Sequence, residues 1–239
     1  MLVGVGSSGM VQSIAHSDPS ERPALLRRFL GALGEALICA GSNSEDQGTA
    51  AALDGFAQLT RAIDPMSDWP TPKVSLERLP VCRFWDSALD AGARSAAGPL
   101  SAALRALGPS LSWTQNPNYR RQPPGPAFLE NYGYAVIAGP ADGPPGLVLD
   151  PQLAVGVLLL GPGTFYPLHE HPAVEIYCPL TLDAEWWLGD GPWRREPPTA
   201  IIYHAPGVRH AMRAGLSPLL AVYIWRGDLA THARLSPAG

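Results

Sequence analysis

The sequence predicts a mainly β fold, an antiparallel barrel or sandwich, preceded by an α-helical region. Three observations predict it. From Phe128 onward, short apolar or alternating runs are separated by Gly/Pro turns. Before about residue 115, Ala and Leu recur at helical spacing instead. A chain of 239 residues with 46% apolar side chains can also bury one large core.

The helical half comes first. Ser20 can cap a helix that carries Pro23 in its first turn. Leu26, Phe29, Leu30, Leu33 and Leu37 then recur at three- and four-residue steps, and Gly41 can stop the helix. Further helices are expected over Ala50–Ile63, Arg83–Ala91 and Leu100–Leu107, the last ended by Gly108 and Pro109. Nothing in residues 1–115 assembles a site, so this region reads as packing support. Residues 116–130 are rich in Asn, Pro and Gly and read as a connector. Residues 131–230 hold the β domain. Its strands are expected at Tyr132–Ala138, Ala154–Leu160, Thr164–His171, Glu175–Leu182, Ala184–Leu188, Ala200–His204, His210–Arg213 and Leu219–Trp225. Residues 231–239 read as a frayed tail.

Composition excludes several classes of partner. The net charge is -4 and only 16% of residues are charged, with no basic stripe for a nucleic-acid backbone. No apolar run is long enough to span a bilayer. Cys39, Cys82 and Cys178 are odd in number and widely spaced, so they form neither a disulfide framework nor a CxxC metal pair. The N-terminal 18 residues do not read as a secretory signal. A cytoplasmic setting is the expectation.

The chemistry lies in the histidines. In GPGTFYPLHEHPAVEIYCPL, His169 and His171 are two residues apart, so one strand face carries both and Glu170 points the other way. Pro172 forces a turn, and Glu175 can return to the same cavity from the next strand. About thirty-five residues later, Ala205-Pro206-Gly207 makes a tight turn and His210 opens a new strand. Three imidazoles and a carboxylate suit one divalent transition-metal ion, Fe2+, Zn2+, Mn2+, Co2+ or Ni2+, with positions left open for substrate or water. His16, His204 and His232 lack such a pattern; His204 is expected to face away from the cavity of His210 or to lie at the turn.

Aromatic residues crowd these segments. Tyr166 precedes His169 by three positions, and Tyr177 shares the strand face of Glu175. Near a bound cation either phenol can serve as a general base. Trp186, Trp187, Tyr203, Tyr223 and Trp225 are candidate substrate contacts, because aromatic faces attract onium groups.

Gly163-x5-His169-x-His171-x3-Glu175 resembles the first motif of the cupins, and Pro206-Gly207-Val208-Arg209-His210 resembles the second. The resemblance implies a cupin barrel, a double-stranded β-helix or jelly roll. Two positions depart from it: Leu182 stands where the first motif has glycine, and Ala214 where the second has asparagine. Both shape turns and bind no metal. The chain further resembles the cupin dimethylsulfoniopropionate lyases over most of residues 113–226. The pieces that carry this are WTQNPNY, NYGYAVIAGP, LLLGPGTFYPLHEHPAVEIYCPL and AEWWLGDGPW.

That resemblance implies metal ligation by His169, His171, Glu175 and His210, and catalytic or positioning roles for Tyr166 and Tyr177. It implies a small zwitterionic sulfonium substrate, cleaved to dimethyl sulfide and acrylate by base-catalysed β-elimination. Two alternatives stay open: another cupin enzyme such as a non-haem iron dioxygenase, and a non-catalytic cupin that binds a small molecule. A homodimer is compatible with the fold, although no interface is legible in one sequence.

Overall fold

The computed structural model describes residues 20–67 and 78–236. His16 and the rest of the N-terminal segment up to residue 19 lie outside the described residues, as do residues 237–239 of the tail. Four helices come first: α1 (Arg22–Ser42), α2 (Gln47–Ala62), α3 (Trp85–Ala93) and α4 (Gly98–Leu107). A short α5 (Pro117–Arg121) lies in the connector. The predicted stripe of α1 is buried at Leu26, Phe29, Leu30, Leu33 and Leu37. Each such side chain contributes about 1.5–3 kcal/mol by leaving water, which is what holds the helix down.

The ends of α1 differ from expectation. Its N-cap is Glu21 rather than Ser20, and the helix runs through Gly41 to Ser42. Gly41 lies inside the helix and faces Ala50 and Leu53 of α2 instead of stopping α1. Asn43 ends the helix: its backbone N–H and its side-chain amide both donate to the Cys39 carbonyl. Asp46 caps α2 by accepting from Thr49 N at 2.6 Å.

Twelve strands follow: β1 (Trp113–Thr114), β2 (Tyr132–Gly139), β3 (Val148–Leu149), β4 (Leu153–Leu160), β5 (Phe165–Glu170), β6 (Val174–Pro179), β7 (Glu185–Leu188), β8 (Arg194–Arg195), β9 (Ile202–His204), β10 (His210–Arg213), β11 (Leu219–Arg226) and β12 (Arg234–Leu235). All eight predicted strands are present. They form two sheets, ordered β1-β2-β4-β11-β6-β9, with β3 beside β2, and β12-β5-β10-β7-β8. This is the cupin barrel, mainly β with helices at its N-terminal end.

Strand alternation divides the interior in two. Val155, Val157, Leu159, Ile176, Cys178, Leu220, Val222 and Ile224 face one way and share a single core with α1–α4. Leu158, Leu160, Tyr177, Leu219, Ala221 and Tyr223 face the other way, into the barrel. The helices therefore cover the outer face of the larger sheet, on the side of it away from the barrel interior.

The expected frayed tail is corrected in part. Arg234 and Leu235 pair with Glu170 and His169 of β5. Arg234 Nη2 also lies 3.0 Å from Glu170 Oε1. The Ala233 carbonyl accepts from Asn116 Nδ2 at 2.9 Å and Asn118 Nδ2 at 3.0 Å. Sequence polarity pointed to solvent, but an open strand edge and two amide donors hold the segment down. No helix among the described residues is long and apolar enough to cross a membrane. Cys39, Cys82 and Cys178 are free thiols.

Candidate metal centre and active site

Two turns aim the ligand-type residues inward. Gly163 and Gly207 both have positive φ, 68° and 71°, which a side chain would oppose. The turn near the missing motif glycine at Leu182 takes its left-handed residue at Asp183 instead (φ 73°). His169 then lies near the end of β5 and His171 just beyond it, Glu175 on β6 and His210 at the start of β10. All four are at most 4% exposed.

The ligand-type atoms of His171, Glu175 and His210 lie within 4.8 Å of one another. Glu175 Oε2 is 3.0 Å from His171 Nε2 and 3.2 Å from His210 Nε2. Each imidazole already commits its Nδ1: His171 to the Ala173 carbonyl at 3.1 Å, His210 to the Val208 carbonyl at 2.9 Å. Carbonyls accept, so the ring protons belong on Nδ1 and the Nε2 lone pairs face the carboxylate. Two imidazole lone pairs turned on a carboxylate oxygen need a cation among them. His210 Nε2 makes no hydrogen bond despite its burial, consistent with that need. These three residues thus fit a metal ion. His169 has the same tautomer, with Nδ1 2.8 Å from the Pro167 carbonyl. Its ring lies 4.0 Å from that of His210 but outside the tight three-residue group.

The fourth imidazole near the carboxylate was not expected. His204 is 1% exposed, and its Nδ1 lies 3.2 Å from Glu175 Oε2. The expectation that it faces away is corrected: β9 pairs with β6 so that His204 stands directly opposite Glu175. Trp225 Nε1 donates to the other carboxylate oxygen at 2.6 Å.

A cavity of about 90 Å³ opens beside this cluster, lined by Glu175, Tyr177, Tyr166, Tyr223 and Trp225 among others. Among the described residues no lysine or arginine lines it. Leu229, His232 and Ala233 of the C-terminal segment complete its wall. Gly156 makes room for one of the aromatics, because a side-chain carbon there would collide with the Tyr223 ring. Burial raises the phenols of Tyr166, Tyr177 and Tyr223 well above 10, and the Glu175 carboxylate raises Tyr177 further.

The other predicted contacts divide. Trp186 packs against Tyr177, with ring centres 5.1 Å apart, behind the cavity wall. Trp187 is on the opposite face of β7 and does not line the cavity. Tyr203 likewise points outward, packing against the core shared with the helices. Sequence reasoning also passed over Tyr119, Tyr132 and Tyr134. Tyr119 accepts a hydrogen bond from the Tyr166 hydroxyl at 3.1 Å, and Tyr132 and Tyr134 line the cavity. The signal for them was present in WTQNPNY and NYGYAVIAGP, whose aromatic residues recur beside turn chemistry.

A sequence model of dimethylsulfoniopropionate lyases matches residues 55–221. The chain belongs to the dimethylsulfoniopropionate lyase family. It is 31% identical over 180 residues to dimethylsulfoniopropionate lyase DddQ of Ruegeria pomeroyi, covering 75% of this chain and 83% of the relative. A putative lyase of this family, DddL of Cereibacter sphaeroides, is 31% identical over 176 residues, or 73% of this chain and 69% of the relative. The crystal structure of the Ruegeria pomeroyi DddQ superposes with a TM-score of 0.65 at 28% identity, covering 89% of this chain and 98% of that one.

One consequence of the lyase family site is a pH dependence of stability. Burial, with the neighbouring His210, pushes the His204 pKa down to about 4, and His169 is lowered well below 6.5 by the same causes. Unfolded histidines take up protons near pH ~6.5. Between those values the unfolded chain binds more protons, so stability is present above ~6.5 and is lost as pH falls. The melting temperature of metal-free protein is expected to drop by roughly 5 °C between about pH 7 and pH 5. Circular dichroism melts that stay level across this window would contradict neutral buried imidazoles.

Proposed function

We propose that the chain is a metal-dependent carbon–sulfur lyase that cleaves dimethylsulfoniopropionate to dimethyl sulfide and acrylate. The observation that carries this reading is a buried His171–Glu175–His210 group that suits a metal ion and whose Glu175 lines a small, tyrosine-rich cavity. Family membership supports it. His169, His171, Glu175 and His210 would hold one divalent transition-metal ion. Such an ion would supply Lewis-acid polarisation of the substrate carboxylate, which acidifies the adjacent C–H bond.

Among the described residues the cavity offers the substrate carboxylate no lysine or arginine, which favours the cluster as its seat. Tyr223 and Trp225 line the cavity, where an onium contact with an aromatic face is worth about 0.5–2 kcal/mol. This favours a zwitterion with its anionic end at the cluster and its sulfonium against the rings. Tyr177 is the proposed base. Its phenol is held protonated by burial and by Glu175, so neutralising that carboxylate discharges part of the opposition. Tyr166, the second choice, donates a hydrogen bond to the Tyr119 hydroxyl.

In the step itself, Tyr177 first gives its own phenolic proton to water, and the resulting phenolate takes the proton next to the carboxylate. The freed electron pair forms the C=C bond of acrylate, and the C–S bond breaks with its pair on sulfur. No electron is gained or lost overall. Packing of the aromatic wall aligns the two breaking bonds. Oxygen-free, metal-loaded protein given dimethylsulfoniopropionate is expected to release dimethyl sulfide into the headspace, with acrylate in equal amount. Turnover that requires oxygen would assign the site to a dioxygenase, and binding without product would make it a sensor.

A further inference from the structure

We propose that His204 is a positioning residue of the metal centre: it donates its Nδ1–H to Glu175 Oε2 from outside the ligand set. The inference rests on the metal reading above. Three imidazoles, those of His169, His171 and His210, turn Nδ1 to a backbone carbonyl two residues away in sequence, which leaves Nε2 for an ion. His204 differs. Its Nδ1 faces the carboxylate at 3.2 Å, and no backbone carbonyl takes that position. Such an outer donor is the usual partner of a ligating carboxylate.

The sheet fixes this arrangement. Glu175 and His204 are cross-strand neighbours of β6 and β9. The His204 ring is held between His210, with centres 4.0 Å apart, and Tyr177, with centres 5.7 Å apart. Trp225 donates to Oε1 and His204 to Oε2, so each carboxylate oxygen has one donor and the carboxylate cannot rotate freely. The remaining lone pair on Oε2 points among His171 and His210. Without His204, Glu175 would keep its charge and lose its orientation.

Metal-stripped wild type, His204→Ala and His204→Asn would be titrated with Co2+, following both affinity and the visible d–d absorption. Asparagine carries its amide nitrogen as many bonds from Cβ as Nδ1 in histidine, so it can restore the donor. The expected result is one Co2+ per wild-type chain and affinity about 10–100-fold weaker in His204→Ala. At saturation the absorption of that variant should match wild type, because no ligand is lost. His204→Asn should bind within a few-fold of wild type. Unchanged affinity in His204→Ala, an altered saturated spectrum, or a His204→Asn variant as weak as alanine would each overturn the inference. Should the alanine variant fail to fold, the asparagine variant decides alone. Wild type that takes up no Co2+ would instead overturn the metal centre itself, a result distinguishable from all of these.

Discussion

Replacing His210 by alanine is expected to empty the metal centre and abolish turnover together. His210 is the contribution of the smaller sheet's β10, whereas Glu175 comes from β6 of the larger sheet. An ion held by both would tie the two sheets together, and loss of this imidazole would remove the smaller sheet's share of the group His171, Glu175 and His210. Metal affinity should fall by more than about a hundredfold, since even loss of a residue behind a ligand costs up to that. The folded barrel should persist. His210 Nε2 makes no hydrogen bond of its own, and Ala211 and Met212 keep the strand packed. Elemental analysis of the purified variant is the test, with a melting curve of metal-free protein as control. Full metal content would remove His210 from the ligand set.

Tyr177→Phe is expected to keep its metal and lose about a hundredfold or more in turnover, the worth of a positioned base. The substitution removes one oxygen and leaves the ring. Contacts with Trp186 and His204 are therefore retained, and the cavity wall keeps its shape. The KM should change little, because the hydroxyl acts on the proton and not on the carboxylate or sulfonium. Turnover near that of wild type would transfer the base role to Tyr166, whose hydroxyl faces Tyr119 in the same cavity wall.

Much of this site is legible in the chain because its parts are local. His169 and His171 share a face whenever their segment is extended, whatever surrounds it. Gly163 and Gly207 mark turns by their own conformational freedom, and the structure gives both a positive φ. The strand runs declared themselves by alternation, and the helix stripe from Leu26 to Leu37 by its three- and four-residue steps. Residues that misled did so where a short strand needs a partner to set its face. Ile202–His204 is three residues long, and a slip of one position would have turned Tyr203 inward and His204 outward.

The sequence by itself determined the elements, the two turn-and-histidine motifs and a donor set that suits a metal ion, since these follow from nearest-neighbour geometry and donor identity. Only the tertiary structure decided that His204 stands against Glu175, that Trp187 and Tyr203 face away from the cavity, and that the C-terminal segment closes its wall. Those outcomes depend on pairing between β6 and β9, β7 and β10, and β5 and β12, strands separated by long stretches of chain. Register between distant strands is set by the burial of whole faces at once, a collective property that no local pattern encodes.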